Sequence, residues 1–317
     1  MKRTQIGKVT LTYLEDNVKK KYEDSAERFL LDFFKQKPES EKTKEIEDLL
    51  NNNPSWDTYY NLVPQRKHIL DWYPFDKNKT LLEIGAGTGA VTRLFTEKLK
   101  KVTALELTNS RAEILAHRLQ DKNNLEVFAG NFQVFNPKEK YDYIVLIGVL
   151  EYSGLFSQSK KLKFSEDYKN ILDGLYPLLK KDGTVFIAIE NPLGLRYFSG
   201  AVEDHYGELF EGIENYTQYN GIRTYTKNEL KKILKNSGFT KTELYLCYPD
   251  YKLPQLVIHE DFIDNFDQGS LSSLWRNVDM AHPLFHFFSE VMLASQLRKE
   301  RLLSTFANSF LITAKKS

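Results

Sequence analysis

A single cysteine, Cys247, in 317 residues excludes an internal disulfide framework and any cysteine-built zinc cluster. An excess of one charge is missing too. Lys and Arg number 44 and Asp and Glu 43, and a net charge of +1 offers no bulk field for gathering nucleic acid. No apolar run is long enough to cross a bilayer, which takes about 20 residues. The most apolar stretch, Tyr143 to Tyr152, is far shorter and carries Glu151 near its end. The opening, Met1 to Lys8, is polar and lacks the apolar segment of a secretory signal, so a cytoplasmic location without a transmembrane segment is expected. Repeats, low-complexity tracts and Ser/Gly linkers are absent as well. What remains is 41% hydrophobic and 27% charged, a globular composition with enough apolar side chains for a sizeable core.

Residues 1–50 hold eleven Lys/Arg and eleven Asp/Glu, which suits a solvated helical face. Val18, Tyr22, Phe29, Leu30 and Phe33 recur there at roughly helical spacing. A second helix is expected over Glu41 to Leu50, ending at Asn51-Asn52-Asn53-Pro54. A third is expected from Pro64 to Trp72, with proline in its first turn. From residue 80 the texture changes. Strand-like runs appear at Thr80–Ile84, Val102–Leu107, Leu125–Ala129, Tyr143–Gly148, Thr184–Glu190 and Thr242–Tyr248, with helical patterns between them. One helix follows Tyr168, Ile171, Leu172, Leu175 and Leu178, with Asp182-Gly183 as its expected cap. Another opens on the capping box Thr226 to Glu229 and closes at Gly238. Strand–helix alternation predicts an α/β fold with a parallel sheet covered on both faces. Residues 249–304 break the rhythm, and the strand-like Ser309–Ala314 is expected to pair antiparallel.

The strongest local signal is Leu81-Leu82-Glu83-Ile84-Gly85-Ala86-Gly87-Thr88-Gly89-Ala90-Val91, an apolar strand that runs through glycines into a helix. Gly85, Gly87 and Ala90 satisfy the dinucleotide fingerprint, and Glu106 ends the next strand where a ribose-binding acid belongs. Electrostatics separates the two cofactors this could serve. A dinucleotide brings a pyrophosphate, which Glu83 at the strand tip would repel. A ligand with an ammonium and a sulfonium and no phosphate would be attracted, and S-adenosylmethionine is such a ligand.

With its motifs in this order, the chain resembles the class I S-adenosylmethionine-dependent methyltransferases over roughly residues 60–248 and the last strand. The matching motifs are Glu83-x-Gly85-x-Gly87-x-Gly89, the acid Glu106, the pair Asn131-Phe132 after the third strand, the strand Tyr141 to Tyr152, and the turn Leu178 to Thr184. The resemblance implies a Rossmann-like fold, a mostly parallel seven-stranded sheet with helices on both faces and an antiparallel last strand. It also implies that Glu83, Gly85, Ala86, Gly87 and Gly89 line the methionine and ribose. Glu106 and Leu107 would take the ribose hydroxyls, Asn131 and Phe132 the adenine, and Gly148 the methionine side of the fourth strand. Asn131 departs from the usual aspartate, though its amide oxygen can still accept from an adenine amino group. The expected layout is a helical region over 1–76, the cofactor-binding core over 77–248, an acceptor-side insertion over 249–304 and the final strand over 305–317.

A narrower resemblance rests on Pro64-Gln65-Arg66, Trp72 to Phe75, Ile189 to Phe198, Glu203-Asp204-His205 and Glu211 to Glu214. These segments are similar to bacterial methyltransferases associated with surface-polysaccharide assembly. That implies a sugar hydroxyl on a glycan intermediate as acceptor, and glycosyltransferases of the same pathway as partners. Residues 190–216 hold six acids and four glycines, with Arg196 their only strong base, a composition suited to a hydroxyl-binding lid. Within it His205 is the candidate general base, with Asp204 to orient it, although a histidine that packs or caps the loop is an equal reading. Glu151 is the second candidate. His259, His282 and His286 lie among aromatics and read as core, so no metal is expected. Asn191-Pro192-Leu193 follows the fifth strand and lacks the aromatic of the nucleobase amino-methylating signature, so nucleic acid is not the expected acceptor. Other acceptors, such as a small metabolite, a lipid or RNA, remain alternatives, as does a non-catalytic scaffold in glycan assembly.

Overall fold

The computed structural model describes residues 2–14, 26–156, 164–266 and 286–316. The chain divides into two compact units, residues 1–145 and 146–317.

The first unit opens on a hairpin rather than a helix. Strand β1 (Lys2–Ile6) pairs antiparallel with β2 (Val9–Tyr13). Gly7 makes the turn at a φ of 56°, and a side chain there would run into the carbonyl oxygen of Gln120 at 2.4 Å. β2 then lies parallel to β5 (Leu125–Ala129), so the first residues of the chain extend a sheet whose other strands come much later. The expectation of a helical region from residue 1 therefore fails at its beginning. Val9 and Leu11 are fully buried, Thr10 is partly exposed and Thr12 is buried, so the period-two pattern is broken and the flanking charges disguise it further. Val18 and Tyr22 lie outside the described residues. Two helices follow as expected, α1 (Glu27–Gln36) and α2 (Thr43–Asn51), and a third that the sequence did not signal, α3 (Trp56–Leu62), joins them, with Leu30, Phe34, Ile46 and Leu62 in one apolar cluster. Pro64–Ile69 forms a 3₁₀ turn in place of the α-helix read from the sequence.

The strand–helix alternation comes next: β3 (Thr80–Ile84), α4 (Thr92–Lys98), β4 (Lys101–Glu106), α5 (Asn109–Arg118), β5 and β6 (Tyr141–Ile147). The strands of this unit run in the order β1-β2-β5-β4-β3-β6, with β3, β4 and β5 parallel. Leu81, Leu82, Val102, Ala104 and Val127 are buried, as expected for strands covered on both faces.

In the second unit α6 (Lys169–Leu175) leads through a 3₁₀ turn at Tyr176–Leu178 into β7 (Leu179–Glu190). The helix thus stops before Asp182-Gly183, and the left-handed residue is Asp182, at a φ of 61°, inside the long strand. The short helix α7 (Leu195–Ser199) follows. Helix α8 (Lys227–Asn236) carries the complete Thr226–Glu229 capping box, and Gly238 at a φ of 93° ends it. β8 (Lys241–Tyr248), β9 (Leu256–His259) and β10 (Ser309–Lys315) complete the strands, in the order β7-β10-β8-β9. β10 pairs antiparallel with both β7 and β8, as the last strand was expected to. β9 lies in the segment read as irregular, and with the hairpin it brings the described strands to ten instead of seven. The fold is α/β and Rossmann-like, mostly parallel within and antiparallel at its edges.

Candidate active site

In the first unit the turn after β3 is built by backbone geometry. Gly85, Gly87 and Gly89 have φ values of 72°, 55° and 86°, a region that side chains disfavour. Gly85 and Ala86 both donate their N–H to the carbonyl of Leu105, at 2.8 and 3.1 Å. Gly89 lies against α5, where a Cβ would meet Leu115 Cγ at 3.0 Å. A Cβ on Gly87 would meet nothing within 4 Å, so this residue faces open space. Glu106 ties the loop to β4. Its Oε2 accepts from Gly87 N–H at 2.9 Å, and its Oε1 accepts from the Thr108 amide at 3.0 Å and hydroxyl at 3.1 Å. A carboxylate offers about four acceptor sites, so room remains for one ribose hydroxyl. Leu107, between Glu106 and Thr108, is half-buried.

Glu83 is buried, and its Oε2 has no hydrogen-bond partner. Burial pushes its carboxyl up to about 8, against the pull of Thr92 and Arg66, with Glu106 adding repulsion. An acid in this condition gains most from a cation beside it. Asn131 behaves differently. Its Oδ1 accepts from Gln133 N–H at 3.0 Å and caps the 3₁₀ turn Phe132–Val134, so the oxygen expected on adenine has one lone pair already engaged. Phe132 beside it is buried.

Sequence reasoning missed the brace behind this loop. Arg118, 1% exposed, forms a two-pronged ion pair with Glu39 at 2.8 and 3.1 Å and donates to the Asn61 carbonyl at 2.8 Å. Asn61 Oδ1 in turn accepts from the Thr88 hydroxyl at 2.5 Å. Residues 39, 61, 88 and 118 share no spacing that would signal this.

The second unit gathers a different set. Gly148 follows β6 at a φ of 68°, and a side chain there would strike Tyr251 Oη at 2.7 Å. His205 Nδ1 lies 3.0 Å from Glu203 Oε1, and Nε2 lies 3.8 Å from Glu151 Oε1. Asp204 does not orient the ring. It faces the other way, accepting from Arg196, Tyr197 and Lys252, the last at 2.8 Å. Glu203 takes the assigned role, and also accepts from the amides of His205 and Tyr206 at 2.7 and 2.9 Å. Burial would lower the imidazole, but Glu151, Glu203 and Glu190 outweigh it and raise it to about 11. The surrounding carboxylates thus favour the charged form of the ring, whose Nε2 proton must leave before the ring can act as a base. Burial raises the Glu151 carboxyl, opposed by His205 and reinforced by Glu190. Burial also works against Asp204, yet Arg196 and Lys252 hold it well below the carboxylate range.

Several acids of residues 190–216 serve the loop itself. Glu211 accepts from the Gln218 amide at 2.7 Å and the Thr217 hydroxyl at 3.1 Å. Glu151 Oε2 and Glu190 Oε2, which lie near His205, are buried without a hydrogen-bond partner, as are Asp264 Oδ1 and Glu290 Oε2 elsewhere in this unit. Asn191, fully buried, spends its amide on the carbonyls of Thr305 and Ala307 at 2.9 and 2.7 Å and its oxygen on Leu193 N–H at 3.1 Å. Of the three histidines read as core, His282 lies outside the described residues, His259 accepts from the Asp261 amide at 3.3 Å, and His286 sits 3.8 Å from Glu290. No helix among the described residues is long and apolar enough to cross a membrane.

A glycine turn after the first parallel strand of an α/β fold, with one buried unpartnered acid before it and another acid closing the next strand, defines a binder of a cationic nucleoside. Residues 57–244 match the family described as a methyltransferase domain, and the chain belongs to that family. It is an S-adenosylmethionine-dependent methyltransferase. A curated relative, ribosomal RNA small subunit methyltransferase A of Mycoplasma mycoides, is 23% identical over 252 residues, covering 76% of this chain and 88% of that protein. The enzyme of the same name from Streptococcus gordonii is 39% identical over 59 residues, only 19% of this chain and 20% of that protein. Among solved structures, the N-methyltransferase NodS of Bradyrhizobium japonicum with S-adenosylhomocysteine aligns at a TM-score of 0.48 and 13% identity, covering 86% of this chain and 97% of NodS. Phosphoethanolamine N-methyltransferase 2 of Haemonchus contortus with S-adenosyl-L-methionine aligns at 0.47 and 15% identity over 86% of this chain and 60% of that one.

Proposed function

We propose that the chain transfers a methyl group from S-adenosylmethionine to a hydroxyl of a sugar or glycan intermediate of surface-polysaccharide assembly. In the first unit, Glu83 would pair with the donor's ammonium, the open face of Gly87 would admit its backbone, and Glu106 would accept from a ribose hydroxyl. The unpartnered Oε2 of Glu83 and the empty space over Gly87 both fit such a ligand. Bound there, S-adenosylmethionine supplies a methyl on positive sulfur, open to in-line attack, and the protein's remaining task is to align a nucleophile and exclude water.

The observation that carries the choice of acceptor is the pair of buried, unpartnered carboxylate oxygens on Glu151 and Glu190. Such oxygens accept from hydroxyls, and a sugar presents several. The acceptor's proton would pass to this cluster, with Glu203 holding the ring of His205 in place. The relatives named for ribosomal RNA favour a second reading, RNA as the acceptor. Against it, Asn191 is fully buried and both N–H donors of its amide are spent on backbone carbonyls, so it has no donor for a base edge.

The test incubates the protein and methyl-labelled S-adenosylmethionine with separated cell fractions. Label in the polysaccharide or glycan-precursor pool, with S-adenosylhomocysteine released in step, is the expected result. Label in RNA would overturn the glycan reading, and no turnover on any pool would leave a scaffold.

A further inference from the structure

We infer that Glu151, Glu190 and His205 form a binding site for a divalent first-row transition cation. The three side chains come from separate segments of the second unit: the turn after β6, the end of β7 and the loop that follows α7. Each can present one ligand atom, and these atoms lie within 4.8 Å of one another. Ligands that share a metal at about 2.0–2.2 Å stand at most about 4.4 Å apart, so closing the site takes a few tenths of an ångström per side chain.

Three independent features point to a cation. Glu151 and Glu190 are 2% and 1% exposed, and each keeps a buried Oε2 with no partner, which is costly unless something positive arrives. The histidine is oriented as a ligand would be: Nδ1 is engaged by Glu203 at 3.0 Å, which turns Nε2 toward Glu151, at 3.8 Å too far for a hydrogen bond. The surrounding charge is also unbalanced. Among the described residues, the ion pairs of Glu151, Glu190, Glu203, Asp204 and Asp250 draw on Lys252 and Arg196 besides the histidine, three cations for five carboxylates. Lys252 occupies Glu190 Oε1 and leaves the other oxygen available.

Two carboxylates and one imidazole are borderline in softness. The nitrogen selects against Mg²⁺, and the absence of thiolate from the set disfavours metals that need sulfur. If the acceptor is a hydroxyl, a site this size leaves coordination positions for its oxygen and would lower its pKa. That consequence rests on the glycan reading, whereas the metal site does not.

The test uses the full chain, stripped with chelator and titrated with Mn²⁺ by electron paramagnetic resonance and calorimetry, without acceptor or methyl donor. One saturable site is expected, weakened at least tenfold in Glu190→Gln, His205→Gln and Glu203→Gln, the last because it releases the ring. Any one of these that keeps a wild-type circular dichroism spectrum serves. In ¹⁵N-histidine protein, Zn²⁺ should move the Nε2 resonance of one histidine, a readout that needs no variant. Absence of saturable binding, wild-type affinity in a folded His205→Gln, an unmoved histidine spectrum, or displacement of Mn²⁺ by equimolar Mg²⁺ would each overturn the assignment. None of these outcomes depends on which acceptor is methylated.

Discussion

Glu83 should couple methyl-donor binding to proton release. Its carboxyl is buried, keeps an unpartnered Oε2 and is pushed up to about 8, so near pH 7 it is mostly protonated in the ligand-free protein. An ammonium requires the carboxylate. Ionising the group one pH unit below its pKa costs about 1.4 kcal/mol, and this is subtracted from the binding energy at pH 7. Affinity for S-adenosylmethionine should therefore tighten about tenfold between pH 6 and 7. It should level off near pH 8, where the ligand's own amino group, ordinarily about 7.7–8.0, begins to lose its charge. About nine-tenths of a proton should leave per complex at pH 7. The raised pKa also means that the stability Glu83 gives the ligand-free fold is complete below about 4.5 and lost as pH rises through about 8. Calorimetry in two buffers of different ionisation heat measures the proton count directly. Glu83→Gln should abolish the release, flatten the pH dependence and weaken binding at pH 8 by on the order of tenfold. A wild-type affinity that stays constant from pH 6 to 8, with no proton released, would refute the pairing of Glu83 with the ammonium.

Glu106→Ala should weaken donor binding by about 1–3 kcal/mol, since it removes the ribose acceptor and frees Gly87 N–H; unchanged calorimetric affinity would contradict this placement. Gly87→Ala and Gly89→Ala should separate binding from folding. Both carry left-handed strain of about 1–2 kcal/mol, but only Gly89→Ala also meets Leu115, at 3.0 Å, and only Gly87→Ala points into open space. Gly89→Ala should thus show the larger fall in melting temperature, and Gly87→Ala the larger loss of donor affinity per degree of melting lost. Glu39, lowered to about 2 chiefly by Arg118 against the opposing effect of burial, should stabilise the fold by about 3 kcal/mol above pH 4.5 and lose that contribution as pH falls through about 2. Urea unfolding of Glu39→Gln at pH 7 should show a deficit of about 3–5 kcal/mol, because Arg118 stays buried without its partner.

The donor half of the site was legible because its chemistry is local. Glu83, the three glycines and Glu106 belong to one strand–turn–helix–strand unit, where chain order fixes which residues end up at the strand tips. The last strand and the capping box of α8 were legible for the same reason. The opening hairpin was not, because β2 completes its pairing only with β5, more than a hundred residues later. Its strands are also short and flanked by charge, so Val9 and Leu11 carry little weight beside the helical spacing that follows. Phe29, part of that spacing, is itself 40% exposed, while Leu30 and Phe34 supply the buried stripe.

Glu203-Asp204-His205 shows where reading from order stops. Two adjacent acids precede one histidine, and nothing in their sequence says which of them faces the ring. The answer is decided by residues far away. Arg196 and Lys252 draw Asp204 to themselves, and so Glu203 is left to hold Nδ1. The same holds for Glu151 and Glu190, which stand at the ends of β6 and β7 and meet His205 only through the fold. A carboxylate's neighbours along the chain say that it is acidic, whereas its function depends on which cation the packing leaves within reach. Around this cluster two cations of the described residues, Arg196 and Lys252, are shared among more carboxylates than they can neutralise. The oxygens left over on Glu151 and Glu190 therefore bear directly on the proposed chemistry, because a ligand that reached them would supply the partner that the packing does not.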